Sequence, residues 1–400
     1  MLSFHEALLR LLDAAVPLAS ERVPLAEAAG RVLAEEVRAE VPLPRFDHSS
    51  MDGYAVSAKD LLPSGPWRLR VDGESRAGRA RGALKPRTAC RIFTGAAVPD
   101  GADAVVMQEN ASRNGDEILL EARPVAGQHV RRAGEDVAVG AVAMPKGARV
   151  SPGALALAAM LDRTELVVAR RPRVTILCTG EELRSAGAAG AATSIPESNG
   201  VALQALARGA AAEVRLAPTT GDDLDETFVA IEHALQGADV LVTVGGVSVG
   251  DHDVVRPALE RAGVRLDFWR VAMKPGKPLA VGRRGHAHVL GLPGNPASAL
   301  VTFALFGMPL LRALQGDTRP RPTPLRAVLA EGRKRQAERL ELVRASLRRG
   351  GEALIVSAHD NQASGAATSL AASDGIAFVE PGQGFVDAGT AVDFVPWEAV

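Results

Sequence analysis

From about residue 172 to residue 316 the chain alternates short apolar runs with helical patterns. Strand 173–178 precedes a helix from Asn199. Strand 213–217 precedes a helix from Asp222, with Asp223 and Glu226 in an acidic first turn. Strand 239–244 precedes a helix over 254–262, and the run His288–Leu290 leads to a long helix from Asn295 to about Leu314. This alternation predicts a doubly wound parallel sheet, because each parallel pair needs a crossover that packs back on the sheet. Ligands of such sheets sit outside the C-terminal strand ends.

The glycine-rich loops lie at those ends. One is Gly245-Gly246-Val247-Ser248-Val249-Gly250-Asp251-His252-Asp253, and another is Gly291-Leu292-Pro293-Gly294-Asn295-Pro296-Ala297-Ser298. A strand, a glycine turn and a helix start leave free N–H groups that cradle an anion. Between them lies Lys274-Pro275-Gly276-Lys277. Among 46 basic residues only six are lysines, and two of them stand in this tetrapeptide. Lysine offers a compact charge where arginine offers a planar fork, and Pro-Gly makes a turn that aims both ammonium groups at one spot. Taken singly, each loop also reads as an ordinary turn and each lysine as a solvated charge. Together they predict one crevice for phosphate or another small oxyanion.

A chain of 400 residues holds two to four domains. Its formal net charge of −1 argues against binding nucleic acid through bulk electrostatics. With Tyr54 as its single tyrosine, it offers no platform for stacking bases. Cys90 and Cys178 both lie in apolar strand-like runs, which predicts two buried, reduced thiols in a cytoplasmic protein. We expect no signal peptide and no apolar run of spanning length.

Ser3-Phe4-His5-Glu6 has the spacing of a capping box before an apolar stripe. Leu25 to Val37 repeats a helical pattern, and Ser151-Pro152-Gly153 opens a third helix expected to pack on the first two. The predicted division is a discontinuous helical linking domain (1–45 and 146–171), a β-rich insert (46–145), an α/β domain (172–318) and a small C-terminal β domain (325–400). The stretch from Gly316 to Pro324 serves as a linker.

Several motifs in this order resemble the family of molybdopterin molybdenumtransferases, the MoeA and gephyrin E-domain family. They are Phe46-Asp47-His48-Ser49-Ser50-Met51-Asp52-Gly53-Tyr54-Ala55-Val56, Thr94-Gly95-Ala96-Ala97-Val98-Pro99-Asp100-Gly101-Ala102-Asp103, Arg132-Ala133-Gly134-Glu135-Asp136, Thr179-Gly180-Glu181-Glu182-Leu183, and the three loops above. The resemblance implies an elongated homodimer with four subdomains per chain. It implies insertion of molybdate into the dithiolene of adenylylated molybdopterin, with release of AMP and a requirement for Mg²⁺. The molybdopterin adenylyltransferase and acceptor molybdoenzymes are the further partners expected.

Lys274 and Lys277 are expected to bind molybdate or a substrate phosphate. Ser298 either donates to the same oxyanion or simply occupies the first helical turn. Asp253, with Asp251, is expected to hold Mg²⁺ beside a phosphate loop or to cap the next helix. Glu182 and Asp222 complete an acidic rim, although Asp222 also reads as a helix cap. The resemblance adds Asp52, Thr94 and Asp136 of the insert, through a site shared across the dimer. It also adds Arg339 and Arg344, from Arg339-Leu340-Glu341-Leu342-Val343-Arg344, and Ser364. Three departures stand out: Glu181 and Glu197 where the family has Asp, and Leu342 where it has Phe. His286 and His288 alternate along a strand without a third ligand, which argues against zinc.

Two other functions compete. The sibling adenylylation of molybdopterin uses a similar α/β domain, but that family has Gly-Gly-Thr-Gly where this chain has Gly245-Gly246-Val247-Ser248, and it lacks the insert and the C-terminal domain. A non-catalytic scaffold is the third reading, which the lysine pair and carboxylate rim disfavour.

Overall fold

A computed structural model describes residues 1–247 and 254–400 of the chain, in two compact units. The first unit comprises Met1–Glu35, Gly147–Ser151 and Leu166–Val400, and the second Glu36–Lys146 and Pro152–Glu165. Ser248, Asp251 and Asp253 lie outside the described residues.

The first unit starts with helix α1 (Phe4–Asp13), closed by the expected capping box: Glu6 N–H donates to Ser3 Oγ (3.2 Å) and Ser3 N–H to Glu6 Oε2 (2.9 Å). Its central sheet contains β1 (Arg173–Cys178), β2 (Glu213–Leu216), β3 (Val240–Val244), β4 (Arg265–Arg270), β5 (Pro278–Arg284) and β6 (Ala287–Leu292), in the order β2-β1-β3-β6-β5-β4. The first four in that order are mutually parallel, as expected. The β5 and β4 edge runs antiparallel, because the short link Gly285-His286 closes a hairpin and leaves no room for a crossover helix.

Alternate strand residues feed two cores, which makes the sheet doubly wound. Val174, Ile176, Val240, Val242 and Leu290 pack with α1, with α2 (Asn199–Gly209) and with the helical run α5 (Pro296–Leu314). Leu177, Leu241 and Val289 pack with α3 (Leu224–Leu235) and α4 (Val255–Arg261). Both Cys90 and Cys178 are buried and unpaired. By length and composition α5 is apolar enough to cross a membrane, contrary to the expectation that no run approaches that length. Within its 18-residue apolar window 89% of the residues are buried inside the protein, so its hydrophobicity serves the core.

The C-terminal part is a small closed β structure. Strands β7 (Leu325–Leu329), β8 (Leu340–Gly350), β9 (Ala353–Ala358), β10 (Gly375–Val379) and β11 (Ala391–Pro396) pair in a ring, since β8 meets both β9 and β10. A sixth, two-residue strand joins β8 in parallel: Met273–Lys274, the start of the lysine loop. The Gly316–Pro324 segment is anchored at its start, where Asp317 pairs with Arg149 and Thr318 N–H donates to Gly147 O at 3.1 Å.

The expected helix over Leu25–Val37 is absent. Only a 3₁₀ turn, Leu25–Glu27, forms, and Gly30 then adopts φ +73°. Beyond it the backbone bonds sideways: Leu33 N–H donates to Ala148 O and Ala34 N–H to Val167 O. Arg31, 2% exposed, bonds Glu21 and Ala169 O. The apolar spacing was real, but long-range strand pairing used it.

The second unit carries a six-stranded sheet built from Gly53–Val56, Trp67–Ser75, Thr88–Ile92, Ala104–Met107, Ala111–Asn114 and Glu117–Leu120. This is the β-rich character expected of the insert. Helix Pro152–Met160 forms as expected but belongs to this unit, and with no second helix it has no three-helix packing to join.

Candidate functional site

In the first unit the glycine loops converge at the C-terminal ends of the parallel strands. Gly245, φ +99°, donates its N–H to Leu292 O at 3.0 Å, which ties the loop after β3 to the C-terminal end of β6. A Cβ on Gly294 would stand 3.5 Å from Gly245 Cα, and one on Gly245 would press 2.5 Å from Thr179 O in the loop after β1. Asn199, at the start of α2, donates Nδ2–H to Gly294 O at 2.8 Å. Gly245, Gly246, Pro293, Gly294, Asn295 and Pro296 therefore form one surface where three backbones meet, and at Gly245 the approach to Thr179 O is one that only glycine permits.

The lysine loop enters from the antiparallel edge. Val271 N–H donates to Lys277 O at 3.0 Å, closing the turn, and Lys274 and Lys277 are both exposed. Gly276, φ +96°, lies against α5: a Cβ there would meet Thr302 Oγ1 and come within 2.8 Å of Met273 Cε. Lys274 Nζ stands 3.5 Å from Glu341 Oε1 on β8, while Lys277 makes no ion pair among the described residues.

The first turn of α5 is part of the surface, with Ser298 buried in it. Its N–H groups are not all free. Ala297 N–H donates to Ser364 O at 2.9 Å, so a loop of the C-terminal barrel occupies one donor of the expected cradle. Ser364 thus contributes through its carbonyl.

Of the acidic rim, Glu182 folds back over Gly180, where a Cβ would stand 2.5 Å from its Oε2. Asp222 is exposed and is not the helix cap. Asp223 caps α3, accepting from Asp225 N–H and Glu226 N–H at 2.9 Å each. This leaves the Asp222 carboxylate without a partner among the described residues. The departures have clear placements. Glu197 accepts Gly200 N–H at 2.7 Å, serving α2 in place of Ser198. Burial first, then the Glu197 carboxylate, pushes the Cys178 thiol well above its ordinary range. Glu181 is exposed, and Leu342 is buried in the core.

Arg344 is not at the surface. It is fully buried: Nε donates to Ser369 Oγ (2.8 Å), and Nη2 to Asn361 O (3.1 Å) and Ala363 O (2.9 Å). Burial pushes its guanidinium below the ordinary value. Its role is to hold the loop that presents Ser364. Arg339, half-buried, donates to Gln336 Oε1 at 3.1 Å.

In the second unit Asp52 accepts from both Thr94 N–H and Thr94 Oγ1–H at 2.7 Å. These two bonds lower its pKa, chiefly the backbone one, so an exposed carboxylate is fixed in orientation and kept ionised. Asp136 is exposed. Asp47, which reads in sequence beside His48 and Ser49, instead accepts from Arg132 Nη1 (2.6 Å) and Ala133 N–H (2.8 Å).

Glu341 was missed by sequence reasoning. It stands in the Arg339–Arg344 motif, but only the parallel pairing of β8 with Met273–Lys274 reveals its place beside Lys274.

Comparison with known proteins agrees with this arrangement. The profile described as MoeA N-terminal region (domain I and II) matches residues 2–161, that of a probable molybdopterin binding domain residues 175–313, and that of MoeA C-terminal region (domain IV) residues 326–397. A molybdopterin molybdenumtransferase of Haemophilus influenzae is 38% identical, over 86% of this chain and 85% of its own length. One of Synechococcus elongatus is 37% identical, over 98% and 99%. The crystal structure of a molybdopterin biosynthesis MoeA protein from Pyrococcus horikoshii superposes with a TM-score of 0.85 at 28% identity, covering 99% of this chain and all of that one. With three profiles in register along its length and relatives this similar nearly end to end, the chain belongs to the MoeA family of molybdopterin molybdenumtransferases.

Proposed function

We propose that the protein inserts molybdate into the dithiolene of adenylylated molybdopterin, with release of AMP, as a Mg²⁺-dependent cytoplasmic homodimer. The observation that carries this reading is the convergence of an exposed lysine pair, three glycine turns and a helix start at the C-terminal ends of one parallel sheet.

Molybdate is a small dianion. Lys274 and Lys277 attract it by charge and donate charge-assisted hydrogen bonds to its oxygens. The backbone N–H groups left free in the glycine turns take phosphate oxygens of the nucleotide-bearing substrate. Lysine suits both tasks, because three rotatable N–H donors adapt to a tetrahedral anion.

The residues present fit Mg²⁺. The exposed carboxylates Glu182 and Asp222 are hard oxygen donors, and Mg²⁺ takes one or two carboxylates with water and substrate oxygens. No set of three metal-binding side chains gathers among the described residues, so a protein-only cage is not part of this reading. Asp251 and Asp253 remain the further ligands we propose. When bound, the ion neutralises phosphate charge as AMP departs.

Asp52, Thr94 and Asp136 are proposed to complete the site from the partner subunit, since a two-fold interface presents each chain's patch to the other. The same reading retains the four-part division of the chain given above. Turnover of adenylylated molybdopterin with molybdate, followed by AMP release, tests the function. Binding of both substrates without AMP release would reject it.

A further inference from the structure

Glu341 is the least expected charge near the lysine loop. It lies on β8, where Lys274↔Glu341 is a direct parallel register pair and Leu340 N–H donates to Ala272 O at 2.9 Å. Its side chain is only 7% exposed, whereas that of Lys274 is 50% exposed. Its two oxygens face two cations: Oε1 stands 3.5 Å from Lys274 Nζ, and Oε2 3.8 Å from Arg333 Nε. Neither contact is a full hydrogen bond, and Glu341 Oε2 and Arg333 Nε are both buried without a hydrogen-bond partner.

A carboxylate in such a place is costly to bury and is tolerated when cations offset it. It adds little as a stability device, because ion pairs this long are weak. It does restrict Lys274. An ammonium on a four-carbon stem samples many rotamers, and a fixed carboxylate behind it selects those that keep the head over the loop. One of the three N–H donors then points to Glu341 and the others stay free for an anion. Arg333 balances the far oxygen, which limits the repulsion an incoming dianion would feel.

We propose that Glu341 is the positioning residue of the oxyanion site, acting through Lys274 and itself braced by Arg333. The C-terminal barrel thereby sets the molybdate affinity of a loop that belongs to the α/β sheet. The inference rests on the proposal that Lys274 binds molybdate.

The test is a double-mutant cycle read by calorimetry of molybdate binding to the full-length protein. Lys274→Ala alone tests the underlying reading, and unchanged affinity there sinks both that reading and this one. Glu341→Ala should weaken binding about tenfold in the wild-type background and not at all in the Lys274→Ala background. Glu341→Gln keeps an oxygen at the same reach and should stay within about threefold of wild type. Should Glu341→Ala fail to fold, Glu341→Asp enters the same cycle, since it keeps the negative charge but withdraws the carboxylate from Lys274 by one methylene. An equal loss from the Glu341 variant with and without Lys274, or no loss at all, overturns the positioning role while leaving the Lys274 reading intact.

Discussion

Gly276 and Thr302 fix how the lysine loop meets the core. A Cβ on Gly276 would land on Thr302 Oγ1, and the residue's φ of +96° is open to glycine alone. Gly276→Ala should cost about 1–3 kcal/mol of stability and also lift the turn off α5. Denaturant melts and molybdate calorimetry should both register the change. Wild-type values in both would mean that the turn tolerates a side chain.

Lys274→Ala and Lys277→Ala should each weaken molybdate binding. Lys277→Ala should leave stability near wild type, because its side chain is exposed and makes no ion pair among the described residues, whereas Lys274→Ala should lower stability somewhat by leaving the buried Glu341 carboxylate to Arg333 alone. A lost hydrogen bond to a charged group costs about 1.5–3 kcal/mol, roughly ten- to a hundredfold in affinity. Unchanged titrations for both variants would remove the pair from the site.

Arg344→Met should behave in the opposite way. It preserves apolar volume but strands the Asn361 carbonyl and removes one bond each from Ala363 O and Ser369 Oγ, which keep Ala366 N–H and Ala366 O as partners. The expected loss is about 3 kcal/mol of stability, with increased mobility of the 361–364 loop. Wild-type unfolding combined with abolished substrate binding would restore Arg344 as a direct ligand.

His288 gives stability a pH dependence. It is 3% exposed, and burial, reinforced by the Arg283 charge, lowers its pKa from 6.5 to about 4. The folded state therefore keeps it neutral where the unfolded chain takes up a proton. Stability from this group is complete above pH 6.5 and is lost as pH falls toward about 4, by up to about 3 kcal/mol. Urea melts across that window should show a shallower decline for His288→Gln than for wild type. Parallel declines would assign the acid sensitivity to other groups.

The composite-site proposal has its own test. Asp52→Ala and Lys274→Ala chains, each inactive alone, should recover to roughly a quarter of wild-type activity when mixed and allowed to exchange subunits, since random pairing leaves one intact site in half of the dimers. No recovery despite proven exchange would place each site within one chain.

Local signals carried much of the fold and the site. Glycine turns, strand runs and the Ser3–Glu6 box are short-range patterns, and each appears where expected. What escaped were choices between near-equal neighbours and pairings distant in sequence. Asp222 and Asp223 both suit a cap, and only backbone geometry selects Asp223. Leu25–Val37 has helical spacing, but its hydrogen bonds are claimed by Ala148 and Val167. Arg344 has the chemistry of a phosphate ligand, yet its strand register turns it inward. Glu341 became visible only when a two-residue strand joined the barrel.

That small strand has a further consequence. Ala272 O accepts from Leu340, and Ser364 O accepts from Ala297, so the lysine loop and the first turn of α5 each share a backbone hydrogen bond with the barrel. Such shared bonds make the two elements open as one cooperative unit. The amides of Leu340 and Ala297 should therefore exchange with solvent through openings of equal free energy. Transplanting the barrel from a relative would then retune the turn it grips, so barrel and loop act as a matched pair and not as detachable modules.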